Sequence, residues 1–263
     1  MTRRHWQDLP LAVVEAVEQN TGRIRSVESV ATGAVSDLVV VLHTTTGTHF
    51  CKGVESDNPL GWMHRNEARL NPHLPGIAPR LRWLVDQDGW LLLGFDHVAG
   101  RHPDLAPNSM DLPSVAQTLT ALSEFTPSPS VKVQRATTRW AGRLCPDVID
   151  GDTLAHTDVT PRNFLIGPAG VVVVDWSTPC RGAAWIDTAL MVVRLVRAGH
   201  PPADAQTWAE QIPAWTSARA GALDAFAGAV AELMRDRQKK SGAPHLASLA
   251  AAADCWLRYR AAL

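Results

Sequence analysis

Hydrophobic and polar positions change rhythm twice along this chain. Leu11, Val14 and Val17 recur at helical spacing, and "NTG" at 20–22 ends that run. The rhythm then shortens to β-type runs: "RIRSVESV" at 23–30, "SDLVVVLHT" at 36–44 and "THFCKGV" at 48–54. Gly33 punctuates the first pair and "TTTG" the second. "PLGWMHRNEARL" at 59–70 predicts a helix, with Pro59 suited to its first position. Two more β-type runs in "PRLRWLVDQDGWLLLGFDHV" at 79–98 are joined by Asp88-Gly89, residues that tolerate the positive φ of a tight hairpin. The first hundred residues therefore predict a five-stranded antiparallel sheet interrupted by one helix.

The pattern changes again after "AGRHPDLAPNSMDLP", a Pro- and Gly-rich stretch at 99–113 that reads as a linker or crossover. Val115, Leu119 and Leu122 then mark one face of a helix, and "FTPSPSVKV" is a loop. One strand pair is expected at "FLIG" (164–167) and "VVVVD" (171–175). From Ala183 onward the pattern is helical and alanine-rich, broken at "GHPPAD" and "KKSGAPH". The expected architecture is α+β with two lobes: residues 1–98, rich in strands, and a larger, mainly α lobe over 99–263.

Composition narrows the class. The 263 residues are 46% hydrophobic and 19% charged, which suits a folded chain with a substantial core. A formal charge of −1 supplies no global field toward nucleic acid or an anionic membrane, and neither partner is expected. Cys51, Cys145, Cys180 and Cys255 lie far apart, without CxxC or metal-ligand spacing, and read as free thiols in a reducing compartment. No apolar run approaches the roughly 18 residues of a membrane span, and "MTRRHWQDLP" leads into no signal-type core. A cytoplasmic location is expected.

The chemistry concentrates in "HTDVTPRN" at 156–163 and "VVVVDW" at 171–176. A turn between the two short strands folds Asp175 back toward the loop bearing Asp158 and Asn163. A carboxylate can orient a hydroxyl and accept its proton. An amide oxygen and a second carboxylate are hard ligands of the type Mg²⁺ takes. As turn formers, Asp158 and Asn163 have a plainer reading, and Asp175 alone could end a strand.

His156-x-Asp158-x4-Asn163 followed by a strand ending in Asp175 resembles the catalytic and metal-binding segment of the protein-kinase-like fold, and "HTD" with "DW" is similar to the aminoglycoside phosphotransferase version of it. "GAAWID", ending at Asp187, resembles the segment in which that family keeps a structural Asp beneath the catalytic loop. The resemblance implies Asp158 as catalytic base, Asn163 and Asp175 as Mg²⁺ ligands, and His156 as scaffold. In the first lobe it implies Lys52 of "HFCKGV" as the phosphate-gripping lysine and Glu67 of "HRNEARL" as its helix partner. The loop "ATGAVSD" would cover the phosphates with backbone N–H groups near Gly33 and with Ser36, although one glycine stands where protein kinases have several. Asp96 and Val98 would meet the purine through backbone groups. Arg162 is either an aid to charge neutralisation or a solvated side chain.

The implied activity is transfer of the γ-phosphoryl group of ATP or GTP to the hydroxyl of a small molecule. The short segment between Asp175 and Asp187 leaves no room for a long activation loop and argues against a protein substrate. Over 188–263, nine basic residues outnumber six acidic ones, a poor cradle for a polycation. The expected acceptor is therefore an antibiotic less cationic than an aminoglycoside, such as a nucleoside or peptide antibiotic. The alternatives are a metabolic kinase acting on a sugar or amino alcohol, and a catalytically inert nucleotide-binding module. Of the ten tryptophans, Trp176, Trp185, Trp208, Trp215 and Trp256 fall in the second lobe; most are expected in its core, with one or two lining a substrate cleft as the alternative.

Overall fold

A computed structural model describes residues 4–31 and 35–263. The chain divides into two units: the first takes residues up to Gly100 together with Val172–Thr178, and the second takes Arg101–Val171 and Pro179–Leu263.

In the first unit, helix α1 (Leu11–Thr21) precedes strands β1 (Ile24–Ser29), β2 (Leu38–Thr44) and β3 (Thr48–Glu55). Helix α2 (Gly61–Leu70) follows, then β4 (Leu81–Gln87) and β5 (Trp90–Asp96). The five strands form one antiparallel sheet in the order β1-β2-β3-β5-β4, so the expected sheet is present. Asp88 and Gly89 take positive φ values of 47° and 79°, the backbone that a two-residue hairpin needs to match strand twist.

The alternation of side chains sorts the sheet's two faces. Val13 and Val17 of α1 pack with Leu38, Val40, Leu42, Trp83, Val85 and Leu92. The other face gathers Val54, Leu91, Leu93 and Phe95, with Ala68 of α2 against them. Both faces are thus covered by helices, which explains why β5 is apolar at almost every position instead of alternating. The helix carrying Glu67 begins at Gly61, two residues after the expected Pro59. The Asn58 side chain accepts from the Leu60 N–H at 2.8 Å, and the Gly61 N–H reaches the Asn58 carbonyl at 2.9 Å, so a turn precedes the first helical residue.

In the second unit lie α3 (Leu112–Glu124), β6 (Gln134–Arg135), α4 (Ala136–Arg139), α5 (Pro146–Ile149), β7 (Thr153–Ala155) and β8 (Phe164–Gly167). Strand β9 (Gly170–Val173), which begins in this unit and ends in the segment assigned to the first, pairs with β8, matching the expected strand pair. The rest comprises β10 (Cys180–Gly182), α6 (Ile186–Arg197), α7 (Pro202–Ala209), α8 (Pro213–Thr216), α9 (Ala220–Ser241) and α10 (Pro244–Arg260). Gly242 ends α9 in the left-handed region at φ 63°, and Pro244 opens α10, as "KKSGAPH" suggested. A small sheet in the order β6-β10-β7 had no sequence signature, because strands of two or three residues are too short to show a period.

Aromatic side chains fill the helical core. Phe226 stands edge-on to Trp185 at 5.1 Å and tilted to Trp140 at 5.6 Å, while Trp215 and Trp256 lie 6.4 Å apart. All five of the tryptophans expected to be mostly core are buried, and Trp176 belongs to the first unit.

Gly94 on β5 lies directly under the Trp83 indole, and a Cβ there would fall 1.9 Å from a ring carbon. Gly94→Val is expected to lower unfolding free energy by about 3 kcal/mol through overpacking. Urea unfolding of the variant checks this, and an unchanged midpoint would contradict the packing described.

Candidate active site

The first cluster is built on β3, α2 and the returning segment 172–178, all within one unit. Lys52 stands on β3 opposite Val39 and Leu93, at a buried position. A lone ammonium cannot remain charged there without partners. Glu67 of α2 supplies one, with Oε2 2.6 Å from Lys52 Nζ, and Asp175 supplies another, with Oδ1 at 2.9 Å. The Phe95 ring lies below the ammonium at 5.7 Å. Burial works to lower the Lys52 pKa, but the charges and hydrogen bonds of Glu67 and Asp175 outweigh it and hold the lysine above its ordinary range. Burial in turn pushes Glu67 up, opposed by Lys52. The charged pair is the state we favour, since the two groups are 2.6 Å apart and the Trp176 N–H also donates to Glu67 Oε1 at 3.2 Å.

Several bonds hold segment 172–178 in place. The Val173 N–H donates to the Ile77 carbonyl at 2.8 Å, the Asn66 side-chain amide to the Ser177 carbonyl at 2.8 Å, and the Trp176 indole to the Val173 carbonyl at 2.8 Å. Asp175 itself takes φ 64°, a left-handed backbone uncommon for a residue with a Cβ. Asn66 and Trp176 had no sequence signal as support for the Glu67–Lys52 pair.

Ser36 Oγ lies 2.9 Å from Nε2 of His64, one turn before Glu67 on α2. Burial, then the Lys52 charge, lowers the His64 pKa to about 4, so the imidazole is neutral near pH 7. Gly33, expected in the phosphate-covering loop, lies outside the described residues. Asp96 ends β5, its N–H bonded to the Arg80 carbonyl at 2.9 Å and its carboxylate gripped by Arg82. Val98 follows in irregular backbone and is half-buried.

The second cluster lies wholly in the other unit. Asp187, in the first turn of α6, accepts from the backbone N–H groups of His156 at 2.7 Å and Thr157 at 2.8 Å. Those two bonds fix a loop in which Thr157 takes φ 68°. Burial raises the Asp187 pKa, and the backbone N–H donors of His156 and Thr157 pull it back. His156 is buried and its Nδ1 accepts from the Asp158 N–H at 3.3 Å. The Asp158 carboxylate is left half exposed. Asn163, placed by the short 3-10 turn Pro161–Asn163, donates its amide to the Asp158 carbonyl at 2.8 Å and to Asp158 Oδ2 at 3.1 Å. With its nitrogen turned inward, Asn163 keeps its amide oxygen for another partner. Arg162 is exposed.

Arg194 is the residue sequence reasoning overlooked. Its Nη2 lies 3.6 Å from Asp158 Oδ1, and its side chain is largely buried. A signal was present: Arg194 follows Asp187 by two helical turns, so both occupy one face of α6.

No protein-family model and no curated protein sequence matches the chain. Solved structures do match. An aminoglycoside phosphotransferase APH(4)-Ia thermostable mutant, in ternary complex with AMP-PNP and hygromycin B, aligns with a TM-score of 0.62 at 14% identity, over 96% of this chain and 100% of that one. The fold is protein-kinase-like, of the aminoglycoside phosphotransferase type. Choline kinase LicA from Streptococcus pneumoniae aligns with a TM-score of 0.60 at 11% identity, over 94% of this chain and 98% of that one. A putative aminoglycoside phosphotransferase from Ralstonia eutropha JMP134 gives a TM-score of 0.61 at 12% identity, over 96% and 98%.

Asp187→Ala is expected to orphan the His156 and Thr157 N–H groups and cost about 2–4 kcal/mol of stability. Denaturant unfolding, with hydrogen exchange at the two amides, reads both effects. Full retention of stability and of amide protection would contradict the assigned bonds.

Proposed function

We propose that this protein transfers the γ-phosphoryl group of ATP or GTP to a hydroxyl of a small molecule. The observation that carries the reading is Lys52, buried and charged on β3 and paired with Glu67 of α2, in a fold whose solved relatives include nucleotide complexes. Phosphoryl transfer asks little covalent chemistry of a protein; positioning and electrostatic stabilisation dominate it.

Lys52 is the group that grips the nucleotide phosphates, and Glu67 keeps it charged and aimed. Ser36 and the backbone around Gly33 are the loop donors to the phosphates, while Asp96 and Val98 mark the backbone that meets the base. Asp158 orients the acceptor hydroxyl and takes its proton. Asn163 holds the Asp158 loop through its amide nitrogen, and Asp187 fixes that loop from below.

Mg²⁺ would accompany the nucleotide, and Asn163 and Asp175 would be its oxygen donors. Their chemistry fits: Asn163 presents an amide oxygen because its nitrogen is committed, and Asp175 presents a half-exposed carboxylate. Bound with the nucleotide, the ion would neutralise charge on the phosphate oxygens.

For the acceptor we propose an antibiotic less cationic than an aminoglycoside, such as a nucleoside or peptide antibiotic, encountered in the cytoplasm. The solved relatives include both an aminoglycoside enzyme and a choline kinase, so a metabolic acceptor on this fold is the second reading. The basic surplus over 188–263 disfavours a polycationic acceptor. No helix among the described residues is long and apolar enough to cross a membrane.

A transfer assay over hydroxylated antibiotics and metabolites, with ATP and GTP, tests the activity. Asp158→Ala is expected to lower transfer by at least 100-fold while nucleotide binding persists. Absence of transfer to any acceptor would favour the inert module. Expression in a sensitive host separates the acceptor classes: unchanged inhibitory concentrations across aminoglycoside, peptide and nucleoside antibiotics would leave the metabolic reading.

A further inference from the structure

Positive charge gathers around Asp158 within the second unit. Arg194 reaches it from α6, at 3.6 Å. From α9, Arg237 acts electrostatically on Asp158 and feels Arg139 and Arg143 as like charges. Arg143 is drawn to the same helix by Asp236, at 2.5 Å, and Arg139 lies over the Trp140 ring at 5.5 Å. Asp236 is therefore already engaged. Among the described residues Arg237 has no carboxylate in ion-pair contact, and Arg194 has only the long contact to Asp158.

Such an arrangement is costly for the folded chain alone. Arg194 is mostly buried, and desolvation holds its pKa below the arginine range against the pull of Asp158. For Arg237, which keeps exposed surface, desolvation by its neighbours and the charge of Arg139 act in the same direction. Arg143 is paired with Asp236 and Arg139 also acts on the buried Asp187, which leaves Arg194 and Arg237 facing Asp158, met by Arg194 at 3.6 Å without a close bidentate contact. Guanidinium groups are suited to planar, two-point recognition of carboxylate or phosphate oxygens. A cationic acceptor entering here would meet repulsion at the position where its hydroxyl has to approach Asp158.

We propose that the acceptor carries an oxyanion, a carboxylate or a phosphate, close to the hydroxyl that is phosphorylated, and that Arg194 and Arg237 bind it. This rests on Asp158 being the acceptor-side base and narrows the acceptor class to hydroxylated anions. Arg194 also fixes the orientation of Asp158 in the free protein, and the arriving anion takes over part of its charge.

Calorimetric titration of the full-length protein with inorganic phosphate, with citrate and with spermidine tests the proposal. At least one of the two oxyanions is expected to bind saturably, and the Arg194→Gln, Arg237→Gln double variant to weaken that binding tenfold or more. Spermidine is expected to show no saturable binding that these substitutions alter. Tighter phosphate than citrate identifies a phosphorylated acceptor, and the reverse a carboxylate. Where the double variant melts early, Arg237→Gln alone, at an exposed position, carries the test with a threefold or greater loss expected. Restoring the charge with lysine at both positions is expected to recover part of the affinity. Absence of oxyanion binding, binding indifferent to the arginines, or binding lost in Lys52→Ala instead would overturn the proposal. Because the titration needs no turnover, it fails separately from the phosphoryl-transfer reading, which the acceptor screen decides.

Discussion

One buried ammonium governs the first unit. Lys52 stands where water cannot stabilise it, so the surrounding chain has to supply opposite charge at short range. Glu67 at 2.6 Å and Asp175 at 2.9 Å do so, and each must come from a different element. That requirement ties α2 to β3 and ties the segment 172–178 to the sheet. It also explains why Trp176, Asn66 and Ile77 spend hydrogen bonds on a short stretch remote in sequence. Loss of one partner would leave an uncompensated charge, which costs more than the pair contributes. The pairing therefore specifies an arrangement, and the helix-covered sheet provides the stability that supports it.

The second unit solves a different problem. The loop proposed to carry the base needs an exposed carboxylate on a rigid backbone, although exposed loops tend to be mobile. Here rigidity comes from beneath: Asp187 bonds two successive backbone N–H groups, and Asn163 clamps Asp158 from the side. The Asp158 carboxylate stays half exposed because its support acts chiefly on the backbone. The arginines on α6 and α9 then give its surroundings a sign, which the loop motif alone does not have.

The sheet and the paired motifs were legible because their signals are local. Alternating apolar runs, Asp88-Gly89 and the spacing from His156 to Asn163 each lie within a few residues. Lys52 and Glu67 stood out because a lysine is unusual in an apolar strand. The start of α2 was misjudged because Asn58 caps a turn that Pro59 alone suggested would already be helix. The sheet β6-β10-β7 escaped notice because its strands are shorter than any period. Trp176 was assigned by chain order to the helical lobe, but the Lys52 charge draws its neighbour Asp175 into the other unit. Arg194 went unremarked because arginines were counted by segment, while its meaning depends on the helix face it shares with Asp187.

The central claim is that Glu67 acts by keeping Lys52 available to phosphate, and phosphate-dependent binding tests it most directly. Calorimetry with Mg²⁺·AMP-PNP and with adenosine should be compared for the wild-type protein and Glu67→Gln, after melting shows that the variant is folded. The account predicts at least tenfold weaker AMP-PNP binding in the variant with adenosine affinity unchanged. Equal losses for both ligands, or no loss for AMP-PNP, would contradict it.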